Sequence, residues 1–168
     1  MNGHQITAAK QNQQTKKESN TMKFLMMMIP HVYQPDTPAA ERAGEGFVPP
    51  ADGVAKMMKY NEELAKAGVL LALEGLHPVA KGARVKFEGG KPLFTDGPFI
   101  ESKEVVGGYW IIQVQSKDEA VAWMRRIPAA EGDVIELRQI FEMSDFPEEV
   151  QKLAENSPVR ASLEGQKR

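Results

Sequence analysis

A chain of 168 residues, 42% of them hydrophobic and 7% aromatic, is sized for one domain with a core of its own and leaves little room for two. A formal charge of −2 and a pI near 6.0 supply no chain-wide basic field for phosphate backbones or anionic lipid, so nucleic acid and membrane are not expected partners. The absence of cysteine excludes disulfides, thiolate nucleophiles and thiolate metal sites, and it fits a reducing, cytoplasmic setting.

Residues 1–21 are dominated by Gln, Asn, Lys, Thr and Ser and cannot bury enough surface to offset their ordering entropy. They read as a disordered polar tail, either an extension upstream of Met22 or, less favoured, a transit peptide. From Lys23 to Ile29 the chain is nearly continuously apolar, as in a strand covered on both faces, and the run is far short of the roughly 20 residues that span a bilayer. The 22 residues from Pro30 to Ala51 hold five prolines and read as a long loop with a short helix at Ala39–Ala43. Loops of that length are usually functional, so a lid or a partner-contacting arm is expected. Asp52 is placed to cap a helix over Gly53–Ala67, with Val54, Met57, Met58, Leu64 and Ala65 near helical spacing and Gly68 ending it in a left-handed turn.

Val69–Leu73 reads as a second buried strand, and Gly75-Leu76-His77-Pro78 turns the chain out of the sheet. Arg84–Glu88 and Lys91–Thr95, joined by Gly89-Gly90, form a hairpin signature. Gly107-Gly108 leads into a strand over Tyr109–Val114. Ser116 and Glu119 then have the spacing of a capping box on a helix that turns Ala120, Trp123, Met124 and Ile127 inward and stops at Pro128. Val134–Phe141 is the last strand, and Pro147–Ala154 a short amphipathic helix before a frayed end. The order gives three segments: the tail 1–21, a domain over 22–146, and the C-terminal piece 147–168. The domain reads as α+β, a ferredoxin-like split βαβ plan (βαββαβ) with an inserted hairpin and both helices on one face of an antiparallel sheet. The other face needs cover, and a homodimer with sheets back to back supplies it.

Asp96-Gly97-Pro98-Phe99, followed by Glu101, Lys103, Glu104 and Gly107-Gly108-Tyr109, resembles the signature of the DGPF branch of the YCII-related family. Glu74-Gly75-Leu76-His77-Pro78 and Ile127-Pro128 resemble it too, and the likeness covers about Met22 to Glu142. The resemblance implies a dimeric α/β-barrel fold with clefts between the sheets or beside the hairpin, and says little about chemistry. Some relatives accompany alternative sigma factors, and a distant one acts as a lactone dehalogenase. In the founding branch, a His on the first helix pairs with an Asp after the second. The matching positions here fall near Met57 and Ile127-Pro128, so that pair is not carried over.

Around the hairpin, His77, Asp96 and Glu101 are the candidate catalytic groups. His77 is the natural proton shuttle, with an unperturbed pKa of about 6.5, although a surface or capping role explains it as well. Asp96 serves either as a turn former that accepts backbone amides or as a general base at a cleft rim. Glu101 shares a strand face with Lys103, where an exposed ion pair is the plain reading and a buried carboxylate with a raised pKa the functional one. Tyr60, Phe99, Lys103, Tyr109 and Arg125, with Trp110, are candidate ligand-binding residues, against core or dimer contacts as the alternative. No close-spaced His and carboxylate cluster suits a metal, and Gly107-Gly108 precedes a strand, not a helix, so neither a metal nor a phosphate-bearing cofactor is expected. Two functions follow. One is acid/base chemistry of lyase or isomerase type on a small organic ligand; the other is a noncatalytic ligand- or partner-binding dimer tied to transcriptional regulation.

Overall fold

The continuously apolar run at the start of the domain becomes β1 (Met22–Ile29), one of the two inner strands of a four-stranded sheet. In the computed structural model, which describes residues 21–97, 104–155 and 157–159, β1 pairs antiparallel with β5 (Gly108–Val114) on one side and β6 (Val134–Gln139) on the other. β2 (Leu70–Gly75) closes the far edge against β5, giving the order β2-β5-β1-β6. Each crossover helix therefore joins two parallel strands with a third strand between them. Helix α1 (Ala51–Lys66) links β1 to β2 and α2 (Lys117–Met124) links β5 to β6, so the expected α+β, ferredoxin-like split βαβ plan is the observed one.

Pleating sorts the side chains. Phe24, Met26 and Met28 of β1 and Trp110, Ile112 and Val114 of β5 are buried in one cluster with Tyr60 and Leu64 of α1 and Ala120 of α2. Alternate residues Leu25, Met27, Tyr109 and Ile111 are only half-buried on the face away from the helices. Tyr60 clamps the two helices: its hydroxyl donates to the Trp123 carbonyl at 3.1 Å and its ring meets Trp110 edge-on at 6.0 Å. Burial pushes that hydroxyl up to about 12, with Arg126 opposing the rise and Glu63 adding to it. Arg126 also lies 4.3 Å over the Trp123 ring and pairs with Glu63 of α1.

Local signals explain the ends of these elements. Gly68 takes φ +71°, the Gly68 amide donates to the Ala65 carbonyl and the Val69 amide to Leu64, which is a Schellman ending for α1. Ser116 accepts the Glu119 amide at 3.2 Å, while the Glu119 carboxylate accepts the Gln115 amide at 2.8 Å. Gly89 and Gly90, at φ +58° and +75°, turn β3 (Ala83–Glu88) into β4 (Lys91–Asp96) as the hairpin reading expected. This hairpin stands apart from the main sheet. Val85 faces Phe94 and Phe87 faces Pro92 on one of its sides, and all of its residues are solvent-exposed.

Three local expectations are corrected. Ala39–Ala43 is a single turn, not a helix: the Pro38 carbonyl accepts Glu41 and Arg42, and the Arg42 guanidinium then folds back onto the Pro35 and Thr37 carbonyls. Asp52 does not cap α1. The helix starts after Pro50, an N-cap residue with φ −58° and ψ 140° that makes no side-chain cap, and Asp52 lies in the first turn beside Lys56. β6 stops at Gln139, two residues early, although the Ile140 amide still reaches the Lys23 carbonyl. The short C-terminal helix is present as α3 (Glu148–Glu155). The polar tail up to residue 20 and the end from residue 160 lie outside the described residues.

Candidate functional site

Val54, Met57, Met58 and Asn61 follow one another at i, i+3, i+4 and i+7, so they form one stripe down α1. That stripe walls a cleft of about 400 Å³, a size suited to a small organic molecule. Its floor is the helix-side pleat of the sheet, with Met28, Leu73 and Trp110. The proline-rich loop supplies a second wall through Pro30, Val32, Tyr33, Phe47 and Pro49, and the turn between α2 and β6 closes one end with Pro128, Ala130 and Asp133. The long loop thus does have a structural part to play at the site.

That loop is held by bonds no local pattern announces. The Gln34 side chain donates to the Pro30 carbonyl at 2.6 Å and to the Val105 carbonyl at 3.1 Å, and accepts the Val105 amide at 2.9 Å. Thr37, fully buried, donates its hydroxyl to the His31 carbonyl. Tyr33 and Phe47 meet edge-on at 5.7 Å. Burial raises the Tyr33 hydroxyl above the ordinary tyrosine value, and it donates to the Leu76 carbonyl at 3.2 Å. Gly107 is needed for close approach, since a Cβ there would come within 2.3 Å of the Pro30 ring.

The polar groups of the cleft have different duties. Both carboxylate oxygens of Asp133 are occupied by backbone, one accepting the His31 amide at 2.9 Å and the other the Ala130 amide at 2.8 Å. Asp133 is therefore a brace for the loop. Glu74 and Tyr109, a directly facing pair on β2 and β5, lie on the rim and on the pleat face opposite Leu73 and Trp110. Asn61 accepts the Trp110 indole N–H at 2.8 Å.

The residues singled out from sequence are dispersed. Tyr109 reaches the cleft rim, and Tyr60 is buried one helical position from Asn61, in the core and not on the cleft wall. Arg125 is exposed at the end of α2. His77 and Asp96 are both exposed and neither lines the cleft; Asp96 accepts the amide of its own neighbour Gly97 at 3.1 Å. Phe99, Glu101 and Lys103 lie outside the described residues. Of the glycine in the motif, the structure gives a clear account: a Cβ on Gly97 would sit 2.0 Å from the Val79 carbonyl oxygen and 2.8 Å from that of Gly82. The cleft is built from α1, the loop and the sheet, and no described residue of the hairpin lines it.

Met57 and Pro128 both line the cleft and give it apolar surface. Asn61 escaped the sequence reading, although a signal existed: it is an amide at the next position of an otherwise apolar helix stripe. Among the described residues, no three His, Asp or Glu side chains converge as a metal site would require, and no helix is long and apolar enough to cross a membrane.

A protein of Rhizobium meliloti (strain 1021), described only as uncharacterised, is 34% identical over 76 residues, which cover 45% of this chain and 58% of that protein. The chain therefore spans a little under three fifths of that relative's length. The family model for the YCII-related domain matches residues 26–144, a stretch that runs from the middle of β1 through the other three sheet strands, both crossover helices and every wall of the cleft. The chain belongs to the YCII-related domain family.

Proposed function

We propose that the protein, a DGPF-branch member by its Asp96-Gly97-Pro98-Phe99 motif, binds a small, largely apolar organic molecule between α1 and the sheet. The observation that carries this reading is the cleft itself: about 400 Å³, walled by methionine, proline and aromatic side chains, with few polar groups. Thermal shift against a library of small aromatic and alicyclic compounds tests it. A ligand at about 100 times its Kd adds roughly 2.7 kcal/mol, a shift of several degrees for a domain of this size. Gly53 lines the cleft and has open space where a Cβ would go, so Gly53→Leu is expected to fold as well as the parent and to abolish the shift. A full shift in that variant would place the ligand elsewhere.

Acid/base chemistry with His77, Asp96 and Glu101 is a further step, and it requires the ligand to reach the hairpin base. Binding in the cleft does not depend on it. We also propose a homodimer, supported by the half-buried apolar pleat of Leu25, Met27 and Ile111 and by the exposed hairpin side of Val85, Phe87 and Phe94. The same surfaces would serve a noncatalytic partner-binding role in transcriptional regulation. Sedimentation equilibrium is expected to return twice the 18.6 kDa chain mass at micromolar concentration. A single-chain mass there would remove the homodimer and leave these surfaces to a different protein.

A further inference from the structure

Asn61 is set apart from the other polar groups on the helix side of the cleft. Tyr33 gives its proton to the Leu76 carbonyl, and Asp133 has both oxygens engaged by backbone amides. Asn61 uses only its oxygen, which accepts the Trp110 indole N–H at 2.8 Å. An indole nitrogen can donate and cannot accept, so the amide is obliged to turn its oxygen to Trp110 and its NH2 away. Trp110 itself has no freedom to move: it is buried, with its ring fixed edge-on against Tyr60 at 6.0 Å. The Asn61 NH2 makes no hydrogen bond to any described residue, and Asn61 lines the cleft one turn beyond Met57.

We infer that Asn61 is the specificity-determining donor of this cleft, and that its ligand carries a hydrogen-bond acceptor such as a carbonyl oxygen on an apolar skeleton. The inference rests on the cleft reading and adds polarity to it. The orientation is preset by Trp110, so no reorganisation is required when the acceptor arrives. A ligand offering a donor at the same point meets two N–H hydrogens and leaves its own donor unpaired, which a desolvated site penalises more than it penalises an apolar group.

Three probes on one skeleton test this: 1-(2-naphthyl)ethanone, 2-ethylnaphthalene and 1-(2-naphthyl)ethylamine. With the full chain at neutral pH, the ketone is expected to bind about five- to tenfold more tightly than the hydrocarbon, the size of one net hydrogen bond, and the amine, protonated there and so a donor only, more weakly than both. Asn61→Asp retains an oxygen for the Trp110 N–H and removes the donor. It should erase the ketone's advantage and move the amine to first place. Trp110→Phe, which frees the amide to turn over, should narrow the gap between ketone and amine in a chain that keeps Asn61. Equal binding of ketone and hydrocarbon by the parent overturns the role of Asn61 while leaving the cleft in place. An unchanged ranking in Asn61→Asp does the same. Binding of none of the three by the parent overturns the inference together with the cleft reading beneath it.

Discussion

Gln34→Ala is expected to lower the free energy of unfolding by about 2–4 kcal/mol, because it strips partners from backbone groups that water cannot reach. Gln34 and Val105 are both buried, at 9% and 6% exposure, and the side chain of one satisfies both the amide and the carbonyl of the other. Truncation leaves that N–H and that C=O unpaired, each costing about 1–3 kcal/mol, with some relief where the loop opens to admit water. It also releases the Pro30 carbonyl, and with it the start of the loop that walls the cleft. Two signatures should therefore appear together: a lower urea midpoint at unchanged m-value, and weaker binding of any cleft ligand by the protein that is still folded. A loss below about 0.5 kcal/mol, the level of an ordinary surface substitution, would show that the loop is not anchored through this residue.

Gln34 also shows where the sequence stops being readable. Its partner Val105 is 71 residues away, and an isolated glutamine in a proline-rich stretch carries no pattern that points so far. Thr37, Asp133 and Tyr33 are of the same kind: side chains holding backbone carbonyls or amides of a loop with no period of its own. The regular elements were legible because their signals are local. Gly68 ends α1, Gly89-Gly90 turns the hairpin and Ser116 starts α2, and each needs only its immediate neighbours to act. The strand order followed from these, since two βαβ crossovers that each leave room for one strand between their parallel pair leave few other sheets to build.

The site was legible in part. The conspicuous motif drew attention to His77 and Asp96, yet part of that motif's meaning is steric: Gly97 lies against the Val79 and Gly82 carbonyls, and Gly107 against the Pro30 ring. Such glycines mark places where one segment must lie flat on another, and the second of them brings the loop over the cleft. The cleft wall on α1 was visible as an apolar stripe, but a stripe of methionines has the same appearance whether it faces core or ligand. What separates the two is the long loop standing off from Val54, Met57 and Met58, leaving space between them, and that depends on bonds made far along the chain.

The largest loss is expected from Phe24→Ala, about 3–5 kcal/mol. Phe24 is 2% exposed on the central strand, paired with Ile112 on one side and Gln139 on the other, in a cluster that includes Met26, Leu64 and Ile112, all at 0%. Strands on both sides and helices above fix the neighbours, so the cavity has little means of collapsing and most of the packing is lost. Against a typical total of roughly 5–15 kcal/mol, a loss of this size leaves a marginal protein. Phe87→Ala removes the same atoms from the hairpin, where the ring is 76% exposed, and should stay within about 0.5 kcal/mol in the monomer. Phe24 does not line the cleft, so molecules that remain folded should bind ligand with parental affinity. A loss of affinity in folded Phe24→Ala protein would mean that core and cleft move as one unit, and that the sheet floor is not a rigid support.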